Sequence, residues 1–149
     1  MKKHDYLVAK LQLIPHPEGG FYRETYRSIK NYSTCIYYLL TSDTFSAFHR
    51  IKQDEIWHFY SGEPISLHLI NPEGAYTKIM IGNNMKTNQI PQFVVPAGYW
   101  FAANVESDYA LVGCTVSPGF DFSDFELAKK KDLIKQFPPI EAIINRFTR

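Results

Sequence analysis

The stretch HRIKQDEIWHFYSG, His49 to Gly62, carries two histidines, two carboxylates, a Trp and a Tyr within fourteen residues. Its two ends, Phe45 to Ile51 and Ile56 to Tyr60, read as short strands, and the polar residues sit among strands that are otherwise apolar. Such a density of titratable side chains is where metal binding or acid/base chemistry is to be expected.

Working outward, Phe21 to Val116 keeps one texture: short alternating runs punctuated by Gly, Pro, Asn and Asp about every ten residues. Further runs are Phe21 to Tyr26, Thr34 to Leu40, Ile65 to Ile70, Thr77 to Ile81, Gln92 to Val95 and Tyr109 to Val116. Eight short strands with regular turn signals predict a mainly β sandwich or barrel. No helical pattern fits between them, which argues against parallel βαβ units.

Helices are expected at both ends. Asp5 as N-cap, with Leu7, Val8 and Leu11 at helical spacing, predicts a short helix stopped by Pro15, and His16 to Gly20 then has turn chemistry. After Val116, Ser123 and Glu126 have capping-box spacing, predicting a helix through Leu127 toward Ile134. Pro138 and Pro139 restart the chain, and Ile140, Ile143, Ile144 and Phe147 form one apolar stripe that would dock on the sheet or on a partner. With no repeat, linker or low-complexity tract, residues 1–149 are read as a single domain.

Composition narrows the class. Hydrophobic residues make up 45% and charged residues 21%, the balance of a globular chain, while 15% aromatic residues, with ten Tyr and eleven Phe, favour a pleated, half-buried surface. The net charge is +1 and the one basic run is Lys129 to Lys131, read as a solvated helix face, so no nucleic-acid partner is expected. Cys35 to Leu40, the longest apolar run, is too short to cross a bilayer, and Lys2, Lys3, Asp5 and Lys10 interrupt any signal-peptide pattern. The expectation is a cytoplasmic protein without a membrane partner. Cys35 and Cys114, far apart and outside any CxxC spacing, read as buried reduced thiols.

The central stretch resembles the first motif of the cupins, in which a His, a second His two places on, a Glu and a Gly lie on neighbouring strands. His49, Glu55 and Gly62 stand at matching spacings, while Ile51 replaces the second His and Asp43 an expected Gly. Pro96 and Gly98 match the second motif, but Phe101 stands where its His belongs. More specifically, HPEGGFYRETYRS (His16 to Ser28), IYYLL (Ile36 to Leu40), the central stretch, VPAGYWFAA (Val95 to Ala103) and GCTVSPGFDFSDFELA (Gly113 to Ala128) resemble the small uncharacterised cupins of cupin family 5. That resemblance implies a double-stranded β-helix, a jelly-roll barrel commonly paired as a homodimer. It assigns no activity.

Three readings of the site stay open. The first is a small-molecule pocket, for a carbohydrate or carboxylate ligand, in which Trp57, Phe59, Trp100 and Tyr38 give an aromatic lining, His58 is a wall residue, and Arg23 clamps an anionic group. The second is acid/base catalysis by His49 with Glu55 or Asp54, opposed by Tyr38, resembling in outline the cupin-fold epimerases that act on nucleotide-linked sugars. The third is a metal-dependent oxygenase with a divalent transition metal. Only His49 and Glu55 are in place as ligands, and His58 can join them only across a bulge, because residues 55 and 58 of a regular strand face opposite ways. Otherwise no cofactor is expected. The loop Ser117 to Phe122 is a candidate cover for the barrel rim.

Overall fold

The computed structural model describes residues 4–149; Lys2 and Lys3 of the N-terminal charge pattern lie outside them. In chain order the elements are α1 (Asp5–Leu11), β1 (Ile14–Pro15), β2 (Phe21–Arg27), β3 (Thr34–Thr41), β4 (Ser46–Arg50), β5 (Asp54–Gly62), β6 (Ile65–Ile70) and β7 (Tyr76–Ile81). There follow β8 (Gln89–Ile90), β9 (Gln92–Val95), β10 (Trp100–Val105), β11 (Tyr109–Ser117), β12 (Glu126–Leu127), α2 (Lys130–Gln136) and α3 (Glu141–Arg146). The strands form two six-stranded sheets, ordered β1-β2-β3-β11-β5-β9 and β12-β4-β10-β6-β7-β8. Pairing is antiparallel except for the short β7–β8 ladder, where Met80 faces Gln89.

The two sheets face each other across a core that includes Tyr38, Leu40, Trp57, Leu67, Phe101 and Val112. Strand β10 shows why one strand escapes sequence reading. Phe101, Ala103 and Val105 enter this core, while Trp100 and Ala102 enter a second one on the back of the same sheet. Every residue of β10 is buried, so the strand has no polar face and no alternation to read.

The second core is closed by the C-terminal helices. Ile140, Ile144 and Phe147 dock beside Leu133 and Phe137 on Phe48, Ile70 and Trp100, as the apolar stripe predicts. The capping box at Ser123 is not used. Asp121 instead caps a 3-10 turn over Phe122–Asp124, its Oδ1 accepting from Ser123 N at 2.9 Å, and Glu126 belongs to the edge strand β12 and pairs with Arg50 at 2.7 Å. The helix therefore begins at Lys130. At the other end His4, not Asp5, is the N-cap of α1, which packs Leu7, Val8 and Leu11 on Leu13, Leu39 and Leu111 outside the first sheet. Cys114 is buried and Cys35 partly exposed, both as free thiols.

Candidate functional site

A cavity of about 290 Å³ opens between the sheets beside β2, β3, β4, β5 and β11. Its polar floor is built from Glu18, His49, Glu55, Tyr38 and His16, and its cover from Phe120, Phe122 and Phe125. These come from five separate stretches of the chain.

His49 sits on β4 with both ring nitrogens occupied. Nδ1 is 2.7 Å from the Ala47 carbonyl, which can only accept, so this nitrogen carries a proton. Nε2 stands 2.6 Å from Glu18 Oε2. Burial alone would lower the pKa of the ring, but Glu18 opposite it outweighs burial and raises the value. Burial alone would likewise raise the pKa of Glu18, and His49 followed by His16 outweighs it and lowers the value. The pair is thus an imidazolium and a carboxylate.

Glu55 does not pair with His49. Its Oε2 accepts the indole N–H of Trp57 at 2.8 Å, a residue two places on along β5 and on the same strand face. Burial first, and then the Glu18 charge, raise the Glu55 carboxyl from the ordinary 4.5 to about 7, with His49 and Trp57 pulling the other way. Two carboxyls in one cavity are therefore driven apart, one ionised and one poised near neutrality.

Tyr38 on β3 lines the same cavity, and its hydroxyl donates to the Gly19 carbonyl at 2.5 Å. Burial, followed by the Glu18 charge, pushes the phenol well above its ordinary value, so it stays neutral and keeps its proton on a backbone acceptor.

The cover is the segment between β11 and β12. Phe122 lies 4.8 Å from Phe120 and 5.9 Å from Phe125, and Phe125 stacks on the His49 ring at 5.3 Å. Arg27 at the end of β2 donates to the Phe120 carbonyl at 2.9 Å and pairs with Glu24 at 2.5 Å, while Phe120 N–H reaches Thr34 Oγ1 at 2.9 Å. Gln53 donates to Asp124 Oδ2 at 2.8 Å on the far side. The segment is tied down at both ends around an aromatic centre.

Of the residues expected to touch ligand, Trp57 reaches this cavity and four do not. Arg23 points to the other face of β2, where it donates to the Leu11 carbonyl at 3.1 Å and to Gln12. A bulge between Glu24 and Tyr26 reverses the strand's parity beyond it, so Tyr22, Glu24 and Arg27 line the cavity instead. His58 faces outward and bonds Thr115 Oγ1 at 2.9 Å and Gln92. Phe59 lies farther along β5, packed at the edge of the inter-sheet core, and Trp100 lies in the second core beneath the Arg50 guanidinium at 4.3 Å. Asp54 accepts from Ala97 N–H at 2.8 Å rather than serving His49.

The metal set His49, Glu55 and His58 is not assembled. The β5 bulge falls opposite Leu111 and Val112, beyond His58, so Glu55 and His58 keep opposite faces. Phe101 packs its ring 4.0 Å from His49, and Ile51 is buried, both in the places where cupin ligands would stand. Among the described residues no three His, Cys, Asp or Glu side chains are grouped to hold an ion. The donor set does not fit a cupin metal centre.

Glu18 and His16, in the turn before β2, and Phe125 are among the site residues that sequence reasoning missed, while Phe120 and Phe122 fall in the loop Ser117 to Phe122 expected to cover the rim. The signal was a carboxylate and a histidine flanking Pro17 ahead of two glycines, a turn with more chemistry than a turn needs.

Comparison with known proteins identifies the fold and the family. A solved structure from Shewanella oneidensis, protein SO0799, superposes with a TM-score of 0.95 at 38% identity, covering 100% of this chain and 99% of that one. A hypothetical protein from Leishmania major superposes at 0.93 with 32% identity over 99% of both chains. The uncharacterized Saccharomyces cerevisiae protein YML079W is 33% identical over 87% of this chain and 77% of its own length. The family model described as Cupin superfamily (DUF985) matches residues 5–128. A match over most of the chain, carried by the jelly-roll sheets and by the segments that build the cavity, makes this protein a member of that DUF985 family of cupins.

Proposed function

We propose that the cavity binds a small neutral ligand bearing hydroxyl or carbonyl groups, a short carbohydrate, and that Glu55 exchanges a proton with it. One observation carries the reading: a buried carboxyl in the cavity wall, held by one indole N–H, with its pKa raised to about 7. A general acid/base is most effective when its pKa lies near the working pH. Both nitrogens of His49 are engaged, Nδ1 by the Ala47 carbonyl and Nε2 by Glu18, so His49 serves as the counter-charge of Glu18 and Glu55 is the carboxyl free to exchange a proton.

Charge favours a carbohydrate over a carboxylate. Among the lining residues the cations His49 and Arg27 are matched by the anions Glu18 and Glu24, and Glu55 can become a further anion, so an acid buried there would find no net attraction. The volume of about 290 Å³ suits a ligand on the order of ten water-sized groups.

The test is calorimetric titration of three- to six-carbon sugars and of the matching sugar acids, repeated with Glu55→Gln. The reading expects sugars to bind better than acids. With a bound sugar in heavy water, wild type should exchange a carbon-bound hydrogen and the variant should not. Binding without exchange would leave a binding protein and remove the acid/base role; a preference for acids would overturn the ligand class.

The homodimer implied by the family is also a proposal. It is supported by exposed Tyr26, Tyr60 and Val94 on the outer face of the first sheet, with Tyr37 lying 6.2 Å from Tyr60. Light scattering should give twice the mass of one chain, and a monomer at micromolar concentration would refute it.

A further inference from the structure

We propose that His16 is the electrophile of the site, a neutral imidazole that donates its Nε2–H to a ligand carbonyl while Glu55 takes the proton from the adjacent carbon. This rests on the reading of Glu55 above and extends it to a substrate class, the α-hydroxycarbonyl compounds, and to a reaction class, proton transfer at the carbon next to a carbonyl.

The tautomer follows from the backbone. Glu18 N–H donates to His16 Nδ1 at 3.1 Å, nearer than the Glu18 Oε1 at 3.5 Å from the same nitrogen, so the shorter contact assigns the lone pair to Nδ1 and the ring proton to Nε2. Nε2 has no bonded partner among the described residues, and the ring lines the cavity. The ring is fixed on its remaining sides. It lies edge-on to Tyr22 at 4.5 Å and to Tyr38 at 5.7 Å, and it is capped by Phe122 and Phe125, each at 6.2 Å. Tyr38 in turn stands 5.8 Å from Trp57, whose indole holds Glu55. His16 and Glu55 therefore line one cavity of about 290 Å³, joined by a row of packed rings. Burial, assisted by the charge on His49 and only partly opposed by Glu18, lowers the His16 pKa, which keeps the ring neutral at physiological pH.

The step balances without a further reagent. Glu55 carboxylate accepts the α-proton, the C–H electron pair becomes the new C=C bond, and the carbonyl pair moves to oxygen, where His16 Nε2–H stabilises the charge. Returning the proton from Glu55 to carbon reverses each change. A neutral imidazole suits the task, because it donates a hydrogen bond without surrendering its proton outright.

The experiment has two arms. Nitrogen-15 NMR of the histidines in wild type should show His16 neutral at pH 7 with the proton on Nε2; an Nδ1–H tautomer or an imidazolium overturns the proposal whatever the activity. In the second arm, D-glyceraldehyde, dihydroxyacetone, D-xylose and D-xylulose are incubated in heavy water, and α-deuterium uptake above the uncatalysed rate is followed by proton NMR. His16→Phe should lower the saturating exchange rate by roughly 100- to 1,000-fold with little change in Kd. His16→Gln, which keeps a donor and an acceptor, should restore part of it. Exchange that needs Glu55 but is unchanged in His16→Phe refutes the role of His16 alone. No exchange by wild type on any of the four sugars refutes both roles.

Discussion

His49 Nε2 lies 2.6 Å from Glu18 Oε2, thirty-one positions back along the chain, and not against Glu55, its neighbour on the next strand. The pairing ties β4 to the turn that precedes β2, and it settles which carboxyl of the cavity is ionised. Removing one member of such a pair leaves a buried charge without compensation. Glu18→Gln is expected to lose about 3–5 kcal/mol in urea unfolding at pH 6. A loss below about 1 kcal/mol would mean that the ion pair is not formed.

The pH dependence of that contribution has two limits. Glu18, with its folded pKa lowered below 4.5, stabilises above that value, and its contribution is lost as pH falls through the folded pKa. His49, with its folded pKa raised above 6.5, stabilises below that value, and its contribution is lost as pH rises through the folded pKa. The pair should contribute fully between about pH 4.5 and 6.5, so the stability difference between wild type and Glu18→Gln should peak there and shrink on either side. A difference that grows steadily with pH would contradict this assignment.

Glu55 works in the opposite sense. Its carboxyl ionises at 4.5 in the unfolded chain and at about 7 in the fold, so a penalty builds up as pH rises between these values and is constant above them. At roughly 1.4 kcal/mol per pKa unit the full penalty is about 3 kcal/mol. Glu55→Gln, whose amide oxygen can still accept from Trp57, should leave stability near wild type at pH 4 and raise it by about 3 kcal/mol at pH 8. Chemical denaturation at the two pH values checks this. An unchanged difference would place Glu55 among ordinary carboxylates.

Gly19 holds the turn that presents Glu18 and the carbonyl accepting from Tyr38. Its φ is +112°, and a Cβ there would come within 1.9 Å of the Phe45 carbonyl oxygen. Gly19→Ala should cost more than about 2 kcal/mol and shift the Tyr38 resonances. Retained stability with an unmoved Tyr38 would show that the turn is free to relax.

The architecture was far more legible than the site. β6 and β9 begin and end where alternation and turn residues place them, and the stripe through Ile140, Ile144 and Phe147 docks as its spacing requires. β10 was invisible because two cores consume both of its faces. In the site, Arg23 faces away by alternation with Tyr22 and Glu24, and Arg27 is brought into the cavity by a bulge that no residue pattern announces, since Thr25 is merely the extra residue in one strand. His49 and Glu55 were identifiable through the resemblance to the cupin first motif, although their consecutive strands β4 and β5 lie in opposite sheets rather than side by side. Glu18 and His16 were not, because contacts between a turn and a strand so far apart in sequence depend on how the sheet curls, and spacing carries no record of that.

Carbon-13 NMR of the side-chain carboxyls, with Glu55 assigned through the missing signal of Glu55→Gln, tests the central claim most directly. Glu55 should titrate at about 7 while Glu18 stays ionised to below 4.5. Titration of Glu55 near 4.5 would contradict it, for the carboxyl facing the cavity would then be an ordinary carboxylate, fully ionised at neutral pH.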